Sequence, residues 1–182
     1  MSRTPIQFAV LGMLTLRPMT GYEIKQVYEK SLANFMPISF GQIYPALAKL
    51  RQGKLVRPEK QPGGRGRIRY FITAKGEEVF REWLLSAGDP TERDLLLRLF
   101  FAAPPAWAGL RGHVEAFRKE EQGLLDHYDG TRKWLDEVHA RNPRLPVWKV
   151  VLEYGVSLSQ SRVRWAEQAL AFMTKKNRSQ KP

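Results

Sequence analysis

Apolar positions recur every three or four residues through the first fifty residues, switch to every second residue, and then return to the longer period. Thr4 caps a first helix with Pro5 at its first position. Ile6, Ala9, Val10, Met13 and Leu14 share one face before Arg17-Pro18 ends it. In "TGYE", Thr20 and Glu23 form a capping box for a second helix, which turns Ile24, Val27, Tyr28 and Leu32 inward and is closed by Pro37. Ser39 and Gln42 form another box in "SFGQIYPALAKLRQG", where Ile43, Leu47 and Leu50 face inward and Gly53 stops the helix. An interior proline costs about 3 kcal/mol. This third helix therefore starts near Gln42 or bends at Pro45.

After Gly53 the alternation predicts two strands, "KLVRPEK" and "IRYFIT", with Pro58 placing the first at a sheet edge. "QPGGRG" joins them through a tip whose Gly63, Gly64 and Gly66 tolerate positive φ. Thr73 caps a fourth helix with Val79, Phe80, Trp83 and Leu84 inward. Helix, helix, helix, hairpin, helix is the order of a winged helix-turn-helix. A glycine-rich loop that cradles a nucleotide phosphate follows a strand and opens a helix; this one joins two strands, so the wing reading is preferred.

The second half repeats apolar residues in alternate threes and fours. Trp107, Leu110, Val114, Phe117, Leu124, Tyr128, Leu135 and Val138 form one series, broken at Glu121 and Thr131. Val147, Val151, Tyr154, Leu158, Trp165, Ala169 and Phe172 form the next, broken at Ser161. A period near 3.5 predicts coiled-coil-like seams, and "NPRLP" folds the two segments into an antiparallel hairpin. Gly109, Gly112, Gly123 and Gly130 weaken the first segment, with Gly130 a candidate interruption. Such helices after a small DNA-binding module would pair two chains, with Leu110, Val114, Phe117, Leu124, Val151, Tyr154, Leu158 and Trp165 as the pairing residues. Packing within one chain explains the same pattern. The tryptophans line an effector cavity or simply fill a core.

Charge narrows the choice of partner. The 182 residues carry 30 Lys+Arg against 18 Asp+Glu, a net charge of +12. Residues 1–88 hold +8 of it, and eight basic residues face one acid between Lys49 and Arg69. This points to a polyanion. With no cysteine, disulfides and thiolate chemistry are excluded. The opening apolar run is too short to span a bilayer and lacks a small-residue cleavage site, so the chain reads as cytoplasmic, with no membrane partner. His113, His127 and His139 lack the spacing of a helical metal site; they read as solvated or as interface histidines. Glu120-Glu121 and Asp136-Glu137 point to different sides of a helix. No catalytic constellation, metal site or cofactor motif emerges, and the reading is not an enzyme.

"FAVLGMLTLRPMTGYEIKQVYE", "SFGQIYPALAKLRQGKLV" and "GRIRYFITAKGEEVFREWL" resemble the PadR-like transcriptional regulators, most specifically at Gly41–Leu47. "RDLLLRLFF" and the helical remainder resemble the longer C-terminal domain of that family's first subgroup. The resemblance implies a one-component regulator, mostly a repressor, that binds palindromic promoter DNA as a homodimer and answers to a small-molecule effector. It maps Ser39, Gln42, Tyr44, Pro45 and Lys49 to the recognition helix, Tyr22 to the supporting helix, and Arg65 and Arg67 to the wing; Arg69 adds charge there. Gln42 reads equally as a base contact or a cap, and Tyr44 as exposed or partly core. The expected architecture is mainly α with a small β-hairpin. A winged helix-turn-helix spans residues 1–88, a coiled-coil-like helical dimerisation domain 89–175 and a basic tail 176–182. A non-specific architectural DNA binder and a basic protein-interaction or membrane-surface adaptor are the rival readings.

Overall fold

The computed structural model describes residues 4–34, 36, 40–60, 67–88 and 90–178; Ser39, Gly63, Gly64, Arg65 and Gly66 lie outside the described residues. The chain divides into two compact units, Met1–Ala102 and Ala103–Pro182.

The first unit is organised around helix α1 (Pro5–Leu16), every residue of which from Ile6 to Leu14 is buried. Its one polar member there, Gln7, turns back to accept the Thr4 N–H at 2.9 Å. Helices α2 (Gly21–Ser31), α3 (Ile43–Gln52), α4 (Ala74–Leu85) and α5 (Glu92–Phe101) and strand β3 (Ile68–Ile72) all pack on α1. Trp83 of α4 stacks on Phe8 with ring centroids 4.3 Å apart. A Cβ at Gly12 would meet the Phe101 ring at 2.6 Å, so the bare backbone of α1 is what lets α5 in.

The expected strands form, with β2 (Val56–Lys60) at the sheet edge as Pro58 requires. A third strand joins them: β1 (Met19–Thr20) pairs antiparallel with β3, Met19 opposite Tyr70 and Thr20 opposite Arg69, giving the order β1-β3-β2. Two residues are too few to show alternation in a sequence. The sheet joins the residues just before α2 to the wing strand.

Helix α3 starts beside Gln42 and stops at Gly53, as expected, while the box of Ser39 with Gln42 rests on a residue outside the described ones. A 3-10 turn at Phe40–Gln42 precedes the helix, Gln42 is its N-cap, and the Gln42 side chain makes no cap hydrogen bond. Pro45 is therefore the third helical residue, where its missing N–H would have had no intrahelical partner. At the other end Gly53 keeps a helical φ of −74°, and the left-handed residue is Lys54, with φ +58°. The Lys54 N–H donates to Arg51 O at 2.9 Å and the Leu55 N–H to Leu50 O at 2.9 Å, a complete Schellman end with lysine where glycine is usual. The hydroxyl of Thr73 then reaches Lys54 O at 2.9 Å and accepts the Gly76 N–H at 3.0 Å, which fastens the start of α4 beside the entry to β2.

The second unit is a hairpin of α6 (Pro104–Val138) and α7 (Leu145–Arg178). Its cross-links run in opposite directions along the two helices: Arg111 to Thr174, Glu121 to Arg162 and Arg132 to Glu153. α6 continues through Gly130 without a break, because packing against α7 outweighs the roughly 1 kcal/mol that a helical glycine costs. Glu121, a break in the apolar series, is buried in the seam and accepts from Arg162 at 3.2 Å.

Two glycine-related substitutions at the α3–α4 corner should move stability in opposite directions. A Cβ at Gly76 would lie 2.2 Å from Leu55 O, so Gly76→Ala should cost about 1–3 kcal/mol in urea unfolding. Lys54→Gly should raise stability by about 0.5–1 kcal/mol by relieving the left-handed lysine.

Candidate nucleic-acid interface

Helix α3 buries Ile43, Ala46, Leu47 and Leu50 and turns the rest of its surface outward. The exposed side is flanked by two concavities. One is a cleft of about 810 Å3 between the start of α2, the start of α3 and the foot of the wing, lined by Gly21, Tyr22, Glu23, Tyr44, Arg67 and Arg69 with their neighbours. The other, about 440 Å3, lies between α3 and the start of α1 and takes in Gln42, Pro45, Lys49, Ile6, Met36 and Arg93. The structure thus brings Tyr22, Tyr44, Arg67 and Arg69 together and places Gln42, Pro45 and Lys49 on the opposite flank. Ser39 and Arg65 lie outside the described residues.

Tyr44 is 61% exposed, as is Tyr22, so neither belongs to the core. Tyr44 lies across the first residue of α2, where a Cβ on Gly21 would meet its ring at 2.7 Å. Glycine at this position sets how closely α3 approaches α2. Gln42, the N-cap residue of α3, is exposed beside the helix start.

Glu23, which lines this cleft, and its partner Arg17 carry more than the sequence assigned to them. Glu23 was legible as a cap, and it does accept the Thr20 N–H at 2.8 Å. The same carboxylate also accepts from Arg17 at 2.9 Å and lies 3.9 Å from the Arg69 guanidinium. The Thr20 N–H and then the Arg17 side chain hold the Glu23 carboxyl at about 2, well below its ordinary 4.5. Arg17 was read only as part of a helix stop. Its partner Glu23 also lies near Arg69 because β1 pairs with β3, which has no signal in periodicity.

The expected pairing residues divide between two situations. Leu110, Val114 and Phe117 are buried within the single chain. Trp165 meets Phe117 edge-on at 5.7 Å, and Trp107 meets Phe172 at 5.2 Å, so these aromatics act as packing between α6 and α7. Leu124 and Leu158 are at the margin, whereas Val151 and Tyr154 are 66% and 73% exposed. α7 turns a different stripe inward: Val156, Ser159, Val163, Ala166 and Met173. His139 sits between Trp134 and Trp148 at the hairpin turn, ring centroids 4.8 and 5.4 Å away. Among the described residues, no helix is long and apolar enough to cross a membrane.

A three-stranded winged helix-turn-helix with an exposed third helix beside a basic cleft defines a DNA-binding class of protein. Residues 10–82 match the transcriptional regulator PadR-like family, and residues 92–174 match the virulence activator alpha C-term family. The chain thus carries a PadR-like transcriptional regulator domain followed by a virulence activator alpha C-term domain. It is 28% identical to the negative transcriptional regulator PadR of Bacillus subtilis over 93% of this chain and 98% of that protein. It is 24% identical to the probable transcriptional regulator Rv1176c of Mycobacterium tuberculosis, over 92% and 97% respectively. The crystal structure of Bacillus subtilis PadR in complex with operator DNA matches with a TM-score of 0.46 at 21% identity, covering 93% of this chain and 99% of that one. The family and both curated relatives are regulators rather than enzymes.

The low pKa of Glu23 makes its contribution to stability depend on pH with a definite sign. A carboxyl whose folded pKa is depressed stabilises the fold above the unfolded value and loses that contribution as pH falls. The wild-type urea midpoint should therefore drop more steeply than that of Glu23→Gln between about pH 4.5 and about pH 2. Parallel curves would show that Glu23 is not held by Thr20 and Arg17.

Proposed function

We propose that the chain is a sequence-specific, double-stranded-DNA-binding transcriptional regulator that works in the cytoplasm as a homodimeric repressor released by a small-molecule effector. The observation that carries this reading is the cleft in which Tyr22, Tyr44, Arg67 and Arg69 converge beside the outward face of α3. An exposed helix face fits the major groove of promoter DNA. Arginines at the foot of the wing suit phosphates or the adjacent minor groove. In this arrangement Gln42 and Tyr44 reach base edges and Lys49 contacts the backbone, while Ser39 and Arg65, outside the described residues, are assigned to DNA by the family resemblance alone. Repression is supported by the regulatory sign in the name of the Bacillus subtilis relative.

Pairing is supported by the stripe Val147, Val150, Val151, Tyr154 and Leu158, which runs along one face of α7 and is left outside the hairpin. Contiguous exposed apolar side chains at this spacing mark an association surface, and a second copy presents the same stripe about a two-fold axis. The cavity beside Gln42, Pro45 and Lys49 supports an effector seat, because an occupant there would press directly on the recognition helix.

Fluorescence anisotropy with duplex from upstream of the gene, against a scrambled duplex at two salt concentrations, tests the reading. A preference of ~10³-fold or more that survives the higher salt is expected. Equal affinities that collapse together as salt rises would instead identify an architectural binder. Arg67→Ala should weaken binding to both duplexes and lower the salt slope by about one, whereas Gln42→Ala should reduce the preference more than the affinity. In sedimentation, Val150→Lys with Tyr154→Lys should convert a two-chain species to single chains. An unchanged mass would remove the α7 stripe from the interface.

A further inference from the structure

Glu23 places a negative charge inside the cleft assigned to DNA, and charge balance alone gives it no reason to be there. Its surroundings supply one. Arg17 comes from the link between α1 and β1, Arg69 from β3 and Glu23 from the first turn of α2, so three separate segments meet at one carboxylate. The carboxylate is itself locked, because its Oε2 accepts the Thr20 N–H at 2.8 Å while the Glu23 N–H donates back to Thr20 Oγ1 at 3.2 Å. Oε1 takes Arg17 Nη1 at 2.9 Å, and Arg69 Nη2 lies 3.9 Å from Oε2. Arg17 remains half exposed and Arg69 about a third exposed.

We infer that Glu23 is a positioning residue that holds Arg17 and Arg69 as a pre-ordered phosphate clamp at the start of α2, which adds Arg17 to the nucleic-acid surface. The inference rests on the DNA-binding reading. Two guanidinium groups around one carboxylate leave a net positive charge, and the carboxylate removes the rotamer freedom that binding would otherwise have to remove.

Glu23→Gln separates this from simple electrostatics. Glutamine keeps an oxygen for the Thr20 N–H, but its amide nitrogen is a donor and cannot hold a guanidinium. Deleting a negative charge beside DNA should by Coulomb's law tighten binding; the positioning role requires the opposite. In anisotropy with promoter duplex, Glu23→Gln should bind roughly tenfold more weakly than wild type. In an Arg17→Ala, Arg69→Ala background the same change should no longer weaken binding. Arg17→Ala alone, which leaves the cap untouched, should weaken binding and lower the salt slope by about one. Wild-type binding combined with Glu23→Gln affinity equal to or above wild type would overturn the inference, as would an Arg17→Ala variant with unchanged affinity and slope. Wild type that binds no duplex at low salt would instead sink the DNA-binding reading and this inference with it.

Discussion

Helix α1 has no solvent side from Ile6 to Leu14, and the placement of everything in the first unit depends on its burial. Removing a large apolar side chain from water is worth about 1.5–3 kcal/mol, and α1 supplies a run of them in all directions. α3, α4, α5, α2 and β3 take up those directions in turn. The recognition helix is held by its inner face alone, through Ile43, Ala46, Leu47 and Leu50. That arrangement frees its outer face of structural work. It also means that the position of α3 follows from how α1 and α2 are packed, with Gly21 setting the approach on one flank through Tyr44.

The interface combines a rigid frame with charged groups whose positions the frame controls. Two residues of β1 are enough to tie the segment before α2 to the wing strand, which brings Arg17, Glu23 and Arg69 into one small region. The capping box that starts α2 therefore does two jobs with one carboxylate. A similar economy holds in the hairpin. Glu121 breaks an apolar series, yet its partner Arg162 makes it a specific cross-link between α6 and α7. Buried ion pairs contribute little net stability, but losing one partner is costly, so this pair favours one alignment of the hairpin over slipped ones.

Much of the plan was legible from residue order alone. Thr20 with Glu23 and Thr73 with Gly76 behave as the caps they spell, because a cap depends only on residues three positions apart. Pro45 sits where a proline is harmless, in the first turn of α3. Gly53 ends the helix as expected, but the left-handed residue that completes the turn is Lys54, because the chain must place Leu55 under Thr73 and Gly76. The tight α2–α3 crossing at Gly21 had no sequence signature at all.

The two apolar seams of the second half show where determination by sequence ends. Their period establishes two long helices, and "NPRLP" establishes the turn between them, since both follow from the geometry of a single chain segment. Nothing in a period says what will cover a stripe. The tertiary structure spends the α6 seam of Leu110, Val114 and Phe117 inside the chain, and packs α7 through Val156, Ser159, Val163 and Ala166 instead. Val151 and Tyr154, indistinguishable in pattern from the buried set, are left facing outward. Hydrophobic burial is non-directional. The sequence therefore determined which faces must be covered, and only the packing of the whole chain decided which were covered from within.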